Sequence, residues 1–301
     1  CPPCGPFLPA ACWTMQVQHI RNATALVSAA GRHILVDPCL SPAGALAPFR
    51  LVNGAANPTV GLPPGTEEAL KAATDVLVTH EHPDHLDQPG VDWAKAGGLP
   101  VFASTVDAPN LARKGLNVKV LTPDALEGFQ VEVIPGAHGT GAIGWLMGHV
   151  AGVYVSPLAD NDVPSLYITS DTILTDTVRE AVARLQPDVI IAPAGAANFG
   201  LSWTPDLIFS VDEIVELVRI APGKVLLNHM EALDHCPTTR ASLASRLREE
   251  GLMDKAVIPE DGETVSFERE TRGARPAVSA PEAPLLPDWR KYVTSFLAGT
   301  K

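Results

Sequence analysis

His80-Glu81-His82-Pro83-Asp84-His85 places three imidazoles and a carboxylate within six residues, directly behind the apolar run Asp75-Val76-Leu77-Val78-Thr79. From the chain's own frequencies, 9 His and 18 Asp in 301 residues, the pattern HxHxDH arises by chance with odds of roughly 1 in 2000. Neutral imidazole nitrogens and a carboxylate are donors for zinc, manganese or iron, and a strand end is a rigid base from which side chains can converge on an ion. The stretch reads as the opening of a metal site rather than a solvated polar loop.

A catalytic ion needs donors from several strand ends, and three more stand behind strand-like runs. His138 follows Val131-Glu132-Val133-Ile134-Pro135-Gly136-Ala137, Asp171 follows Tyr167-Ile168-Thr169-Ser170, and His229 follows Val225-Leu226-Leu227-Asn228. Around them the pattern is α/β. Residues 24–30 and 33–36 read as a hairpin turning at Ala30-Gly31-Arg32. Helices are expected over 67–73, 105–114, 175–185, 211–220 and 238–249. Strands are expected over 75–79, 100–103, 117–121, 129–134, 150–155, 165–169, 188–192 and 224–227, with 256–258 closing the core. Between them, 38–66 is a long loop heavy in Pro, Gly and Ala, expected to form a rim or lid beside the site.

Composition excludes several classes. At 301 residues and 46% hydrophobic the chain can bury a full core. Its formal charge of −12 and lack of any Lys/Arg block argue against nucleic acid as a ligand. No apolar run reaches membrane-spanning length, and no basic region precedes a hydrophobic stretch at the N-terminus, so a cytoplasmic location off the membrane is expected, with a homo-oligomer compatible. Five cysteines, Cys1, Cys4, Cys12, Cys39 and Cys236, are an odd number clustered at one end and do not read as a disulfide framework. Cys1-Pro2-Pro3-Cys4 matches CxxC without a helix start or a second pair. Residues 1–14 read as an unstructured or vector-derived leader with the natural start at Met15, 15–270 as one domain, and 271–301 as a Pro-rich tail ending in a short helix over 288–297.

HxHxDH followed by a lone His, a lone Asp and a lone His across roughly 150 residues resembles the metallo-β-lactamase superfamily. The resemblance implies a four-layer αββα sandwich with the site at one edge. It implies two divalent ions, zinc first and manganese or iron as alternatives. His80, His82 and His138 would hold one, Asp84, His85 and His229 the other, and Asp171 would bridge them. Asp37, in the Leu35-Val36-Asp37-Pro38 turn, resembles the carboxylate that receives the far N–H of a metal-bound imidazole. Its alternative role is a simple Asp-Pro turn.

Looser patterns resemble the ascorbate-6-phosphate lactonase-like branch. They are His19-Ile20-Arg21-Asn22-Ala23-Thr24, the Asp37 turn, His138-Gly139-Thr140-Gly141 through Gly144-Trp145-Leu146, and Asn228-His229-Met230-Glu231-Ala232-Leu233. On that likeness Trp145 walls the substrate pocket, its alternative being plain core packing. The expected chemistry is hydrolysis of a lactone, of sugar or acyl-homoserine type, or of another small carboxylic ester. A hydroxide shared by the two ions attacks, and Asp84 takes the proton. A phosphodiesterase on a small substrate is the runner-up, and an iron-dependent oxidoreductase of the same fold the alternative from another class. His19, His33 and His149 read as structural, while Glu231 and His235 stay unassigned.

Overall fold

In the computed structural model, which describes residues 14–158, 163–201 and 204–269, side-chain alternation decides how the layers stack. One sheet is built from β1 (Met15–Arg21), β2 (Thr24–Ala29), β3 (Arg32–Val36), β4 (Asp75–Leu77), β5 (Pro100–Ala103) and β6 (Asn117–Val120). The other holds β7 (Phe129–Pro135), β8 (Ala151–Pro157), β9 (Leu166–Ile168), β10 (Val189–Pro193), β11 (Lys224–Asn228) and β12 (Ala256–Val257). A last strand, β13 (Thr264–Phe267), returns to pair antiparallel with β1, so the orders are β13-β1-β2-β3-β4-β5-β6 and β12-β11-β10-β9-β8-β7.

Successive residues of a strand face opposite sides, and the two faces have different partners here. Val36, Leu77 and Phe102 point inward and meet Val153, Ile168, Ile191 and Leu226 of the other sheet in a shared core. Their neighbours Val76 and Val101 point outward onto α2 (Gln88–Gly97) and α3 (Ala108–Arg113), and Leu26 and Leu35 onto α1 (Thr66–Ala72). Across the molecule Tyr167, Ile190, Val225 and Leu227 pack against α5 (Asp176–Leu185), α6 (Val211–Ile220) and α7 (Arg240–Glu249), while α4 (Gly141–Met147) buries no residue. The result is the four-layer αββα sandwich that the sequence predicts.

Some expectations need correction. α2 was not expected, although Asp87 caps it, accepting from Gly90 N at 2.8 Å, and a Pro sits in its first turn. The helix expected over 105–114 starts only at Ala108, because Ser104 and Asp107 bond to each other in a turn. The core closes not at 256–258 but at β13, a four-residue strand too short for alternation to announce it. The hairpin turn holds, with both Ala30 and Gly31 at positive φ as its two-residue loop requires.

The 38–66 loop is held at several points. The fully buried Arg21 guanidinium donates to the carbonyls of Cys39 (2.9 Å), Ser41 (3.0 Å) and Val60 (2.9 Å). Asp234 accepts from the amides of Phe49 (3.1 Å), Arg50 (3.3 Å) and Ala55 (3.1 Å) and from Asn57 Nδ2 (2.9 Å). The loop is thus an anchored rim, not a loose lid. Cys39 and Cys236 are buried free thiols. The Cys1/Cys4 pair, the leader up to residue 13, the linker and the helix expected over 288–297 lie outside the described residues. No helix among the described residues is long and apolar enough to cross a membrane.

Candidate metal centre

β3, β4, β5 and β6 run parallel, as do β9, β10, β11 and β12, so their C-terminal ends share one edge of the sandwich within each sheet. β7 is antiparallel to β8, which is antiparallel to β9, so β7 ends on that edge too. Asp37 follows β3, His80 to His85 follow β4, His138 follows β7, Asp171 follows β9 and His229 follows β11. Three of these ends carry a left-handed residue where the chain turns, Asp37 (φ 46), Ser170 (φ 60) and His229 (φ 57), as does Asn22 (φ 58) in the turn between β1 and β2. Gly195 lets β10's exit pass under His229, whose carbonyl oxygen would lie 2.2 Å from a Cβ there.

The seven residues meet in two groups, His80/His82/His138 and Asp84/His85/Asp171/His229, each with its donor atoms within 4.8 Å of one another. In the first, His80 Nε2 and His82 Nδ1 lie 3.1 Å apart, and the far nitrogens are engaged elsewhere. His80 Nδ1 meets Thr79 Oγ1 (3.1 Å) and Ser170 Oγ (3.3 Å), His82 Nε2 meets the Met147 carbonyl (2.9 Å), and His138 Nδ1 meets the Leu207 carbonyl (2.8 Å). A carbonyl partner makes its nitrogen the N–H and leaves the other as a lone-pair donor.

In the second group, Asp37 Oδ2 holds His85 Nδ1 at 2.8 Å while its other oxygen accepts from Thr79 N (2.8 Å). Asp37 therefore turns the chain and orients the imidazole at once. His229 Nδ1 faces Cys236 Sγ at 3.4 Å. The near nitrogens, His85 Nε2 and His229 Nε2, are buried without a hydrogen-bond partner. A single oxygen, Asp171 Oδ2, stands 3.2 Å from His85 Nε2, 3.4 Å from His229 Nε2 and 3.8 Å from His138 Nε2, so it faces both groups. Asp84 Oδ2 lies 3.4 Å from His229 Nε2. Orphaned imidazole nitrogens converging with carboxylate oxygens are a nitrogen/oxygen donor set for a divalent ion, and the residues fit one in each group.

Electrostatics separates the groups. Burial pushes His80 well below the usual imidazole range and lowers His138, so both are neutral donors. Burial also opposes charge on His85 and His229, but the Asp171 carboxylate outweighs it, with Asp37 and Asp84 adding at His85. His85 rises to about 10 and His229 well above its ordinary value. Conversely, burial pushes Asp84 and Asp171 up, and His85 and His229 outweigh it, holding both carboxyls low.

Several supporting residues were not legible beforehand. Two imidazole partners are backbone carbonyls, which carry no side-chain signature. Asn22 lies far away in sequence, yet its carbonyl accepts from His229 N (3.0 Å) and its Nδ2 donates to the Asp84 carbonyl (2.9 Å), tying two donor segments together. Glycine at position 22 tolerates φ 58 and keeps the carbonyl, removing only the amide. Asn22→Gly is therefore expected to stay folded and to weaken the ion at Asp84/His85/His229 about 10- to 100-fold, by calorimetric metal titration. Unchanged affinity would mean that Asp84 is positioned without it.

The remaining candidates are placed as follows. Trp145 sits on α4, 75% exposed, so it is not core packing. Glu231 pairs with Arg240 (2.6 Å). The His235 ring packs edge-on against Phe49 (5.1 Å), and burial lowers its pKa to about 4. Neither starts α7, which Thr239 caps. His19 meets Asp261 (3.3 Å), and His33 meets Ser28 (2.8 Å). His149 lies beside Asp107.

The family model described as "Beta-lactamase superfamily domain" matches residues 32–230, a span holding all seven side chains. The UPF0173 protein YddR of Bacillus subtilis (strain 168) is 32% identical over 259 residues, 84% of this chain and 100% of YddR. Among solved structures, the isothiocyanate hydrolase from Delia radicum gut bacteria superposes with a TM-score of 0.76 at 27% identity, covering 84% of this chain and 100% of that one. A "possible metal-dependent hydrolase" from Veillonella parvula gives 0.75 at 28% identity, covering 84% and 99%. The likeness to ascorbate-6-phosphate lactonase-like hydrolases rests on the motifs quoted above, whereas these relatives carry the superfamily and UPF0173. The chain belongs to the metallo-β-lactamase superfamily, within its UPF0173 family of metal-dependent hydrolases.

Proposed function

We propose that the protein hydrolyses a small carboxylic ester or lactone, with one divalent ion held by His80, His82 and His138, a second by Asp84, His85 and His229, and Asp171 shared. The observation that carries this reading is Asp171 Oδ2, one oxygen within 3.2 to 3.8 Å of imidazoles from both groups. When bound, such ions supply Lewis acidity and lower the pKa of water from 15.7 towards about 7, so no protein nucleophile is needed. Zinc is the first candidate, with manganese or iron as alternatives.

The chain's own groups then divide the work. Asp37 and the Leu207 and Met147 carbonyls keep three imidazoles in one tautomer and one orientation, so no reorganisation is needed as charge develops. Asp84 accepts the proton of the attacking water and returns it to the leaving oxygen. A bond forms from the water oxygen to the carbonyl carbon, the ester C–O bond breaks, and an acid and an alcohol leave.

The isothiocyanate hydrolase neighbour favours a second reading, water addition to the central carbon of an N=C=S group, which is also electrophilic and uncharged. A panel of lactones, aryl esters, alkyl and aryl isothiocyanates, β-lactams and bis(p-nitrophenyl) phosphate, run with metal-replete protein, separates the two. Turnover of esters or lactones supports the first reading, and turnover of isothiocyanates alone moves the assignment to the second. Cleavage confined to the phosphodiester, or an iron-coloured protein without hydrolysis, would overturn both.

A further inference from the structure

Two apolar segments flank the metal centre on opposite sides. α4 sits against the first group, because Met147 O contacts His82 and Gly144, at mid-helix, packs on the His138-Gly139 backbone so closely that a Cβ would come 2.6 Å from Gly139 O. On the other side, Phe49 of the 38–66 rim lies against His235, whose ring is 6.2 Å from that of His229. Phe49, Ile143, Met147 and Phe199 join one cluster over Leu207, Leu233 and Cys236, and Leu51 N donates to Phe199 O at 3.1 Å, so the segments are continuous. This border leaves Trp145 (75%), Leu146 (72%), Leu51 (67%) and Val52 (49%) in solvent. α4 turns only Ile143, Gly144 and Met147 part-way inward and leaves Trp145 and Leu146 in solvent, and exposed hydrocarbon beside a site marks a binding surface.

The geometry points to an uncharged substrate bearing an alkyl or aryl group, whose hydrocarbon part lies on the Leu51/Trp145/Leu146 border while its electrophilic carbon sits at the centre formed by the two histidine groups. The inference rests on the hydrolytic reading of the site. The border is preformed, since Asp234 and Arg21 fix the loop, so little ordering cost is charged to binding.

The test is a chain-length series with the metal-loaded protein, p-nitrophenyl acetate to octanoate and γ-lactones of matching length, with alkyl isothiocyanates run in parallel. The expected kcat/KM rises about threefold per added methylene until the border is covered, and a carboxylate at the chain end reverses the gain. In the double variant Trp145→Ser/Leu146→Ser the octanoate-to-acetate ratio falls about tenfold. Octanamide binding, followed by calorimetry, weakens to a similar degree. A flat series with good acetate turnover, or an unchanged ratio in the double variant, overturns the inference and leaves the hydrolase reading intact. No turnover of any carbonyl or isothiocyanate sinks the hydrolase reading, and octanamide binding then still decides the border. A double variant that changes sedimentation while the ratio stays constant assigns these residues to a contact between copies and overturns the inference.

Discussion

Asp171→Ala is expected to lower kcat/KM by about 1000-fold or more, the loss seen when electrostatic stabilisation of a reacting centre is removed. Asp171 Oδ2 is the oxygen that faces His85, His138 and His229 together, so its removal uncouples the groups and leaves two raised imidazoles without their main counter-charge. The fold should persist, because the inter-sheet core and the helix-facing core lie below this edge and do not use Asp171. Asp171→Asn, which keeps the volume, should fail nearly as badly in catalysis while unfolding closer to the parent temperature. His82→Ala removes one donor and the tie to Met147 O, and a loss of about 100-fold is expected. Steady-state kinetics with circular dichroism checks all three, and full activity in either alanine variant would refute the assignment.

Metal binding should be strongly coupled to protons, and unequally so between the groups. At neutral pH in the metal-free protein, His80 and His138 are neutral and Asp84 and Asp171 ionised, whereas His85 and His229 carry protons. An ion at His80/His82/His138 displaces no proton from His80 or His138. An ion at Asp84/His85/His229 must displace one each from His85 and His229, so its apparent affinity rises with pH by up to about 100-fold per unit while both are protonated, and the rise becomes shallower as pH passes about 10, where His85 is already neutral. The sign for stability is opposite. His85, raised above its ordinary value, stabilises the metal-free fold fully below about pH 6.5, and that contribution is lost as pH rises through about 10. Calorimetry in buffers of different ionisation enthalpy reads the proton count. His229→Gln should lower it by about one, and an unchanged count would show that His229 is not displaced from a protonated state.

Much of this was legible because the donors obey local rules. His80, His82, Asp84 and His85 share one strand exit, and His138, Asp171 and His229 each stand just beyond an apolar run, where a strand end turns. What stayed hidden came from tertiary contacts. α4 has two glycines and no fully buried residue, so neither propensity nor periodicity marks it, and Trp145 projects from its solvent-facing side rather than into the core. β13 completes the first sheet through pairing with β1, more than two hundred residues away. The support for the imidazoles comes from Leu207 and Met147 backbone and from a thiol, Cys236, whose contact with His229 no spacing rule announces.

Anomalous scattering from crystals of the zinc-loaded protein tests the account most directly. Two peaks are expected, one bounded by His80, His82 and His138 and one by Asp84, His85 and His229, with the Asp171 carboxylate between them. A single peak, or peaks away from Asp171, would contradict it.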